Sequence, residues 1–249
     1  MRNIKLLIQY EGTRYQGWQR QKSSENTIQG RLETLLGKMC GEQIELQGSG
    51  RTDAGVHAKA QVANFHTTCG MPVEEMLVYI NRYLPEDIAV TEAEEVSPRF
   101  HSRLNAVEKC YSYRVLNSSI PDVFLRRYAL QVPQPLDVEA MKRGAAHLLG
   151  EHDFKSFTSA KKGKKPTVRR IDSITIERSK DLLTFTFKGN GFLHHMIRIL
   201  MGTLLEIGMG KRDPDSIPQL IASCSREDAG GLVPAKGLTL EEVKYEKNK

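Results

Sequence analysis

The 249-residue chain carries 36 Lys and Arg against 30 Asp and Glu, a formal net charge of +6, with 39% hydrophobic and 27% charged residues. That length admits one large domain or two small ones at roughly 100–200 residues each, and the composition argues against a disordered chain. No run reaches the ~18 apolar residues of a membrane span, and the modest positive balance favours an acidic or nucleic-acid partner without choosing between them.

The first residues, MRNIKLLIQYEG, enter a strand pattern with no apolar leader segment, the expectation for a cytoplasmic protein. The strand runs over 4–10. A helix follows, with Ile28, Leu32, Leu35, Leu36 and Met39 at helical spacing and a capping box expected over 26–29. Residues 43–47 alternate as a strand, a Gly-rich loop comes next, and 61–67 form another strand. Pro72 opens a second helix with Val73, Met76, Leu77 and Ile80 on one face, and 87–94 return as a strand. The order is β-α-β-β-α-β, the split arrangement of ferredoxin-like folds. The second half repeats the theme. Strands are expected around Tyr111, Tyr113 and Val115, then Tyr128, Leu130 and Val132. Asp137 caps a helix that runs to Gly150. Strands with Ile174 and Ile176, then Leu183, Phe185 and Phe187, lead into a long helix striped by Leu193, Met196, Ile197, Leu200, Met201, Leu204 and Leu205. Asp213-Pro214 starts a shorter helix, and 238–245 close with a strand. Two α+β halves, 1–105 and 106–249, fit this pattern.

Four cysteines, Cys40, Cys69, Cys110 and Cys224, are scattered without a C-x-x-C pair. That spacing suits neither a zinc site nor a secreted disulfide framework, and it predicts reduced, partly buried thiols. The densest candidate for chemistry is GSGRTDAGVHA at 48–58. Its glycines allow positive φ and close backbone approach to a ligand, and Arg51 and Asp53 stand two residues apart. Their spacing matches neither a P-loop nor a dinucleotide fingerprint, and nothing marks Asp53 as a metal ligand. Taken alone, such a loop is more often a solvated Arg–Asp turn than a site.

The whole string closely resembles the catalytic-loop motif of the tRNA pseudouridine synthase A (TruA) family. YEGTRYQGWQRQ at 10–21, NRYLPEDIAV at 81–90, FHSRLNAVEKCYSYRV at 100–115, EHDFKSF at 151–157 and NGFLHHMIRILMGTLLEIG at 190–208 resemble further motifs of that family in the same order. The resemblance implies the pseudouridine synthase fold: two ferredoxin-like α+β halves with mostly antiparallel sheets forming a central RNA-binding cleft. It implies a cofactor-free and metal-free isomerisation of uridine to pseudouridine in the anticodon stem-loop of tRNA, at positions 38, 39 and 40. A homodimer across which the RNA lies, and no membrane, go with it.

Residue by residue, the family's nucleophilic aspartate falls on Asp53, a carboxylate that forms a covalent adduct and later leaves. Arg198 matches the arginine that pairs with it and opposes the desolvation that would neutralise it. Arg51 matches the arginine that fills the space left by the flipped nucleotide, since the glycosidic carbon is inaccessible while the base is stacked. Tyr111 matches the tyrosine that stacks on the target base; as an isolated residue it and Tyr113 read equally well as core. His194 and His195, if adjacent on a helix, diverge by roughly 100° and suit packing or RNA contact better than one shared metal. Trp18 and Arg20 fit either the core or an RNA face. Two features depart from the family pattern: Thr239 stands where an aromatic is usual, and REDAGGLVPAK replaces the commoner preceding run, which bears on substrate choice. A paralogue acting on another structured RNA such as ribosomal RNA fits the same residues. A non-catalytic RNA-binding factor on the scaffold is disfavoured by the presence of Asp53, Tyr111 and Arg198.

Lys161, Lys162, Lys164 and Lys165, with Arg169 and Arg170, form a basic run. In an RNA enzyme it is expected to follow phosphates. Replacing the four lysines by Ala should weaken RNA binding and flatten its salt dependence, because each lost phosphate contact releases about one fewer counterion. Binding titrations at several salt concentrations check this. An unchanged slope would mean that the loop merely faces solvent.

Overall fold

The computed structural model describes residues 1–160 and 166–246. The chain divides into two units: Met1–Val107 together with the closing strand from Thr239 onward, and Glu108–Leu238.

In the first unit β1 (Arg2–Tyr10), α1 (Ile28–Cys40), β2 (Gln47–Gly48), β3 (His57–Thr67), α2 (Val73–Tyr83) and β4 (Ile88–Val96) follow in order. This is the β-α-β-β-α-β order read from the sequence. The sheet runs β4-β1-β3, with β1 antiparallel to both neighbours. Two short partners share the outer edge of β3. β2 pairs antiparallel at Gln47↔Asn64 and Gly48↔Ala63, while the closing strand, Leu238–Tyr245, pairs parallel at Thr239↔His57 and Leu240↔Ala58. The alternation of β1 puts Ile4, Leu6 and Ile8 wholly inside and leaves Gln9 exposed, as a half-solvated strand requires. Ile28, Leu32 and Leu36 of α1, with Met76 and Ile80 of α2, are buried alongside.

Two local expectations in this unit need correction. The cap of α1 is Thr27, whose hydroxyl accepts from Gly30 N at 3.1 Å; Asn26 instead donates its side-chain amide to Arg14 O. Residues 43–46 are not a strand, although Ile44 and Leu46 are buried in alternation. Side chains of α1 supply the partners a strand would have given. Glu33 Oε1 accepts from Leu46 N at 3.0 Å, and Gln29 Nε2 donates to Leu46 O at 3.0 Å.

The second unit takes up the chain within β5 (Ala106–Leu116). It continues through β6 (Leu130–Gln131), α3 (Val138–Ala146), β7 (Gly150–Asp153), β8 (Val168–Ser179), β9 (Leu182–Gly189), α4 (Met196–Gly208) and α5 (Ile217–Ser223). Its sheet is β5-β9-β8-β7, antiparallel throughout, with β6 parallel to β5. Leu183, Phe185 and Phe187 of β9 are fully buried, and α4 is apolar nearly all round, burying Ile199, Leu200, Met201 and Leu204 among others. Such a helix belongs inside a unit.

Asp137 caps α3 as expected, accepting from Ala140 N at 2.9 Å. That helix ends at Ala146, however; Gly150, with φ +93°, begins β7. The strand expected over 128–132 shrinks to two residues, and Tyr128 is exposed. Among the described residues no helix is long and apolar enough to cross a membrane.

Glu33 is a buried charge held by Leu46 N, by Gln29 Nε2 at 2.9 Å and by Arg20 at 3.2 Å. Glu33→Ala leaves the Leu46 amide and one Gln29 hydrogen without partners, so the unfolding free energy should fall by about 2 kcal/mol or more. Thermal or urea unfolding reads the change; a variant as stable as the parent would remove Glu33 from this role.

Candidate active site

The loop before β3 has little regular structure, yet its backbone is fixed by the segment that follows β1. Trp18 N donates to Thr52 O at 3.0 Å, Gly55 N to Tyr15 O at 3.3 Å, and Gly12 N to the His57 ring nitrogen Nδ1 at 3.0 Å. The Thr52 hydroxyl and the Tyr10 hydroxyl share a buried hydrogen bond of 2.7 Å. Burial pushes the Tyr10 hydroxyl well above the usual tyrosine range, against the smaller opposing effect of that bond. Ser49 closes the other side: its amide donates to Val62 O at 2.7 Å and its hydroxyl to Gln61 Oε1 at 2.6 Å.

Two glycines make this approach possible. A Cβ on Gly12 would lie 2.0 Å from Val56 O, and one on Gly48 would lie 2.6 Å from the Trp18 ring. Trp18 is 1% exposed, which resolves its role as core. Arg20 is exposed and pairs with Glu33.

A third motif reaches the same place. Asp87 accepts from Tyr15 OH at 2.6 Å and from Arg14 at 2.7 Å, and its carbonyl accepts from Glu11 N at 2.9 Å. Burial acts to raise the Asp87 carboxyl, but the Tyr15 and Arg14 bonds outweigh it and hold the group below the ordinary aspartate value. The strings at 10–21, 48–58 and 81–90 are thus one packed assembly. It presents Asp53 half-buried and Arg51 exposed, in a turn closed by Val56 N donating to Asp53 O at 3.2 Å.

Tyr111 and Arg198 lie in the second unit. Tyr111 is on β5 opposite Phe187, buried, with its ring edge-on to Phe192 at 5.4 Å. Tyr113, two residues on, is fully buried and donates its hydroxyl to Pro234 O at 2.8 Å. Burial raises the Tyr113 hydroxyl and the Arg198 charge partly offsets this, so these two side chains are neighbours. Arg198 is half-buried in the first turn of α4 and donates from Nε to Val233 O at 2.8 Å. It is therefore a positioned side chain and not a free surface charge.

His194 and His195 precede α4 instead of sitting on it. His195 takes φ +64° as the residue before the helix, and the two rings stack at 3.7 Å. The expected divergence of roughly 100° along a helix does not apply. The backbone of His194 is held from the EHDFKSF side, its carbonyl accepting from the Thr158 hydroxyl at 3.1 Å and Ser159 N at 3.3 Å. Lys161, Lys162, Lys164 and Lys165 lie outside the described residues. Phe192 and the Thr52–Tyr10 pair were not singled out by the sequence beyond their membership in the motif strings, and Thr158 lies one residue past EHDFKSF.

A family model described as tRNA pseudouridine synthase matches residues 6–105 and 145–246. The chain is 45% identical to tRNA pseudouridine synthase A of Bacillus sp. strain KSM-64 and, equally, to that of Acetivibrio thermocellus. It is 43% identical to tRNA pseudouridine synthase A 2 of Bacillus cereus strain ZK / E33L. Each match covers 98% of this chain and 100% of the relative. The chain belongs to the tRNA pseudouridine synthase family. A solved Cbf5–Nop10–Gar1 complex is similar at 12% identity and TM-score 0.37, over 81% of this chain and 45% of that one, too low a likeness to carry argument.

Gly12→Ala tests the loop's support. The new methyl cannot coexist with Val56 O, so the loop must shift. A loss of about 1–3 kcal/mol in stability is expected, together with a pseudouridine-forming rate down by ~10²-fold or more if Asp53 moves by an ångström. Single-turnover assays on the folded variant check this, and an unaltered rate would show that the contact does not govern the loop.

Proposed function

We propose that this enzyme isomerises uridine to pseudouridine in the anticodon stem-loop of tRNA, at positions 38, 39 and 40, with Asp53 as the nucleophile. The match over nearly the whole chain to relatives named tRNA pseudouridine synthase A carries the reading. The fixed, half-buried setting of Asp53 supports it.

The reaction breaks the N-glycosidic bond, turns the uracil while it is still held, and joins C5 to the ribose with loss of the C5 proton. Asp53 splits this into easier steps by forming and then releasing a covalent adduct. Arg198 takes the role of the arginine that, in the family the chain resembles, pairs with the nucleophilic carboxylate. Arg51 occupies the space vacated when the target nucleotide leaves the stack, at a cost of a few kcal/mol for unstacking. Tyr111 stacks on the uracil. The four lysines at 161–165 and the net charge of +6 supply phosphate contacts that carry affinity without sequence information. A homodimer, with the RNA lying across both subunits, and a cytoplasmic setting complete the reading.

Asp53→Asn keeps the size and removes the charge and nucleophilicity; Asp53→Ala removes the group. Both should abolish turnover while tRNA binding stays within a few-fold, since phosphate contacts elsewhere supply most of the affinity. The assay is tritium release from C5-labelled uridine in tRNA, read beside thermal unfolding. A well-folded Asp53→Ala protein that turned over like the parent would overturn the assignment. Pseudouridine mapping on total RNA identifies the substrate positions.

A further inference from the structure

Besides the face it buries through Met76 and Ile80, α2 carries a second stripe of side chains at helical spacing. Glu74, Glu75, Val78, Tyr79, Arg82 and Tyr83 line a shallow groove of about 390 Å³ along its flank. Val78 is 69% exposed and Tyr83 57%. The Tyr79 and Tyr83 ring centres lie 4.7 Å apart, and the Arg82 guanidinium lies 5.8 Å from the Tyr83 ring centre. The helix under this stripe is fixed. The Asn81 side chain donates to Val90 O at 2.7 Å and accepts from Val90 N at 2.9 Å, tying α2 to β4.

The charges of the stripe stand at its two ends. Glu74 and Glu75 are in the first turn of α2 and Arg82 is in the last, with roughly 10 Å of helix between Glu75 and Arg82. Among the described residues none of the three has an ion-pair partner. The helix macrodipole favours these signs at these ends, but it gives no reason for Val78 and Tyr83 to stand in solvent beside them. Aromatic, apolar and Arg side chains clustered in this way are the make-up of an interface. A nucleic acid does not suit this face, because its phosphates would meet the two glutamates. A second copy of the chain does. Turned end for end about a point between Val78 and Tyr79, the stripe matches itself: Glu75 falls opposite Arg82, Glu74 opposite Tyr83, and Val78 opposite Tyr79. A twofold contact between identical chains requires such self-complementarity.

We propose that α2 packs antiparallel against α2 of a second copy of this chain, about a twofold axis between Val78 and Tyr79. Glu75 pairs with the partner's Arg82, and Arg82 with the partner's Glu75. These two ion pairs flank the contact of Val78 with the partner's Tyr79, and the Tyr83 hydroxyl donates to the partner's Glu74. The proposal rests on the homodimer of the functional reading and names the face on which it forms. The stripe is smaller than the roughly 20–30 residues a side of a standard interface, so the pairing is reversible and depends on concentration.

The test is sedimentation equilibrium of the full chain over a range of concentrations, without RNA, with thermal unfolding to check each variant. The parent should follow a monomer–dimer equilibrium. Glu75→Arg and Arg82→Glu should each raise the dissociation constant by about tenfold or more, since each turns both ion pairs into like-charge contacts. The double variant Glu75→Arg/Arg82→Glu exchanges the signs and should return to within a few-fold of the parent. A dimeric parent unmoved by either single reversal, or a double variant no stronger than the singles, would overturn this face and leave the homodimer standing. A parent that stays monomeric at every concentration would overturn both.

Discussion

The hydrogen bonds between residues 10–18 and the loop at 48–58 are the constraint on which the candidate site depends. A reactive carboxylate on a loop needs exposure, and a loop by itself gives no fixed geometry. Here the fixing comes from chain that has just left β1. Trp18 N, Gly12 N and Tyr15 O engage Thr52, His57 and Gly55 in turn, and Trp18 fills the space beneath Gly48. Since β1 is the central strand between β4 and β3, the loop is tied to a strand paired on both sides.

The same economy of local support recurs one layer out. Glu33 and Gln29 meet the backbone of Leu46 from a helix, so Ile44 and Leu46 are buried without a sheet partner. Asn64 accepts from the Ser102 amide at 2.8 Å and from its hydroxyl at 2.6 Å, while Asn81 exchanges two bonds with the Val90 backbone. A buried polar side chain such as Asn64 is tolerated only when satisfied, and each of these side chains fixes one irregular segment in one place. Asp87 does this with a charge, which its partners keep ionised against burial.

What was legible in the sequence follows from this division. Periodicity located β1, α1, β3, α2, β8, β9 and α4, because the apolar residues of each repeat at its own spacing. It failed where side chains had replaced backbone partners, as at 43–46. It also failed where one residue takes an unusual conformation: His195 at φ +64° starts α4 later than the apolar stripe from Leu193 suggests. The cap of α1, Thr27, was missed by one position because Asn26, as good a capping residue, spends its side-chain amide on Arg14 O. Of the site, Asp53, Arg51, Tyr111 and Arg198 were singled out by resemblance to motifs, since no spacing rule marks a lone Asp as a nucleophile. The roles of Trp18, Gly12 and His57 are non-local contacts, and no local pattern announces them.

The density of support around Asp53 is what the proposed nucleophilic role demands of a carboxylate. In that role the group must meet an electrophilic carbon, bond to it, and leave again, so its position matters at two separate transition states. An ångström of misplacement can cost ~10²-fold at either. A flexible loop would repeat that search in every turnover. A Gly-rich loop lying directly on packed backbone avoids it: where a side chain would hold Gly12 away from Val56, its absence lets main chain lie on main chain. Glycine, the most permissive residue in the unfolded chain, here sits where it makes the folded loop least free to move.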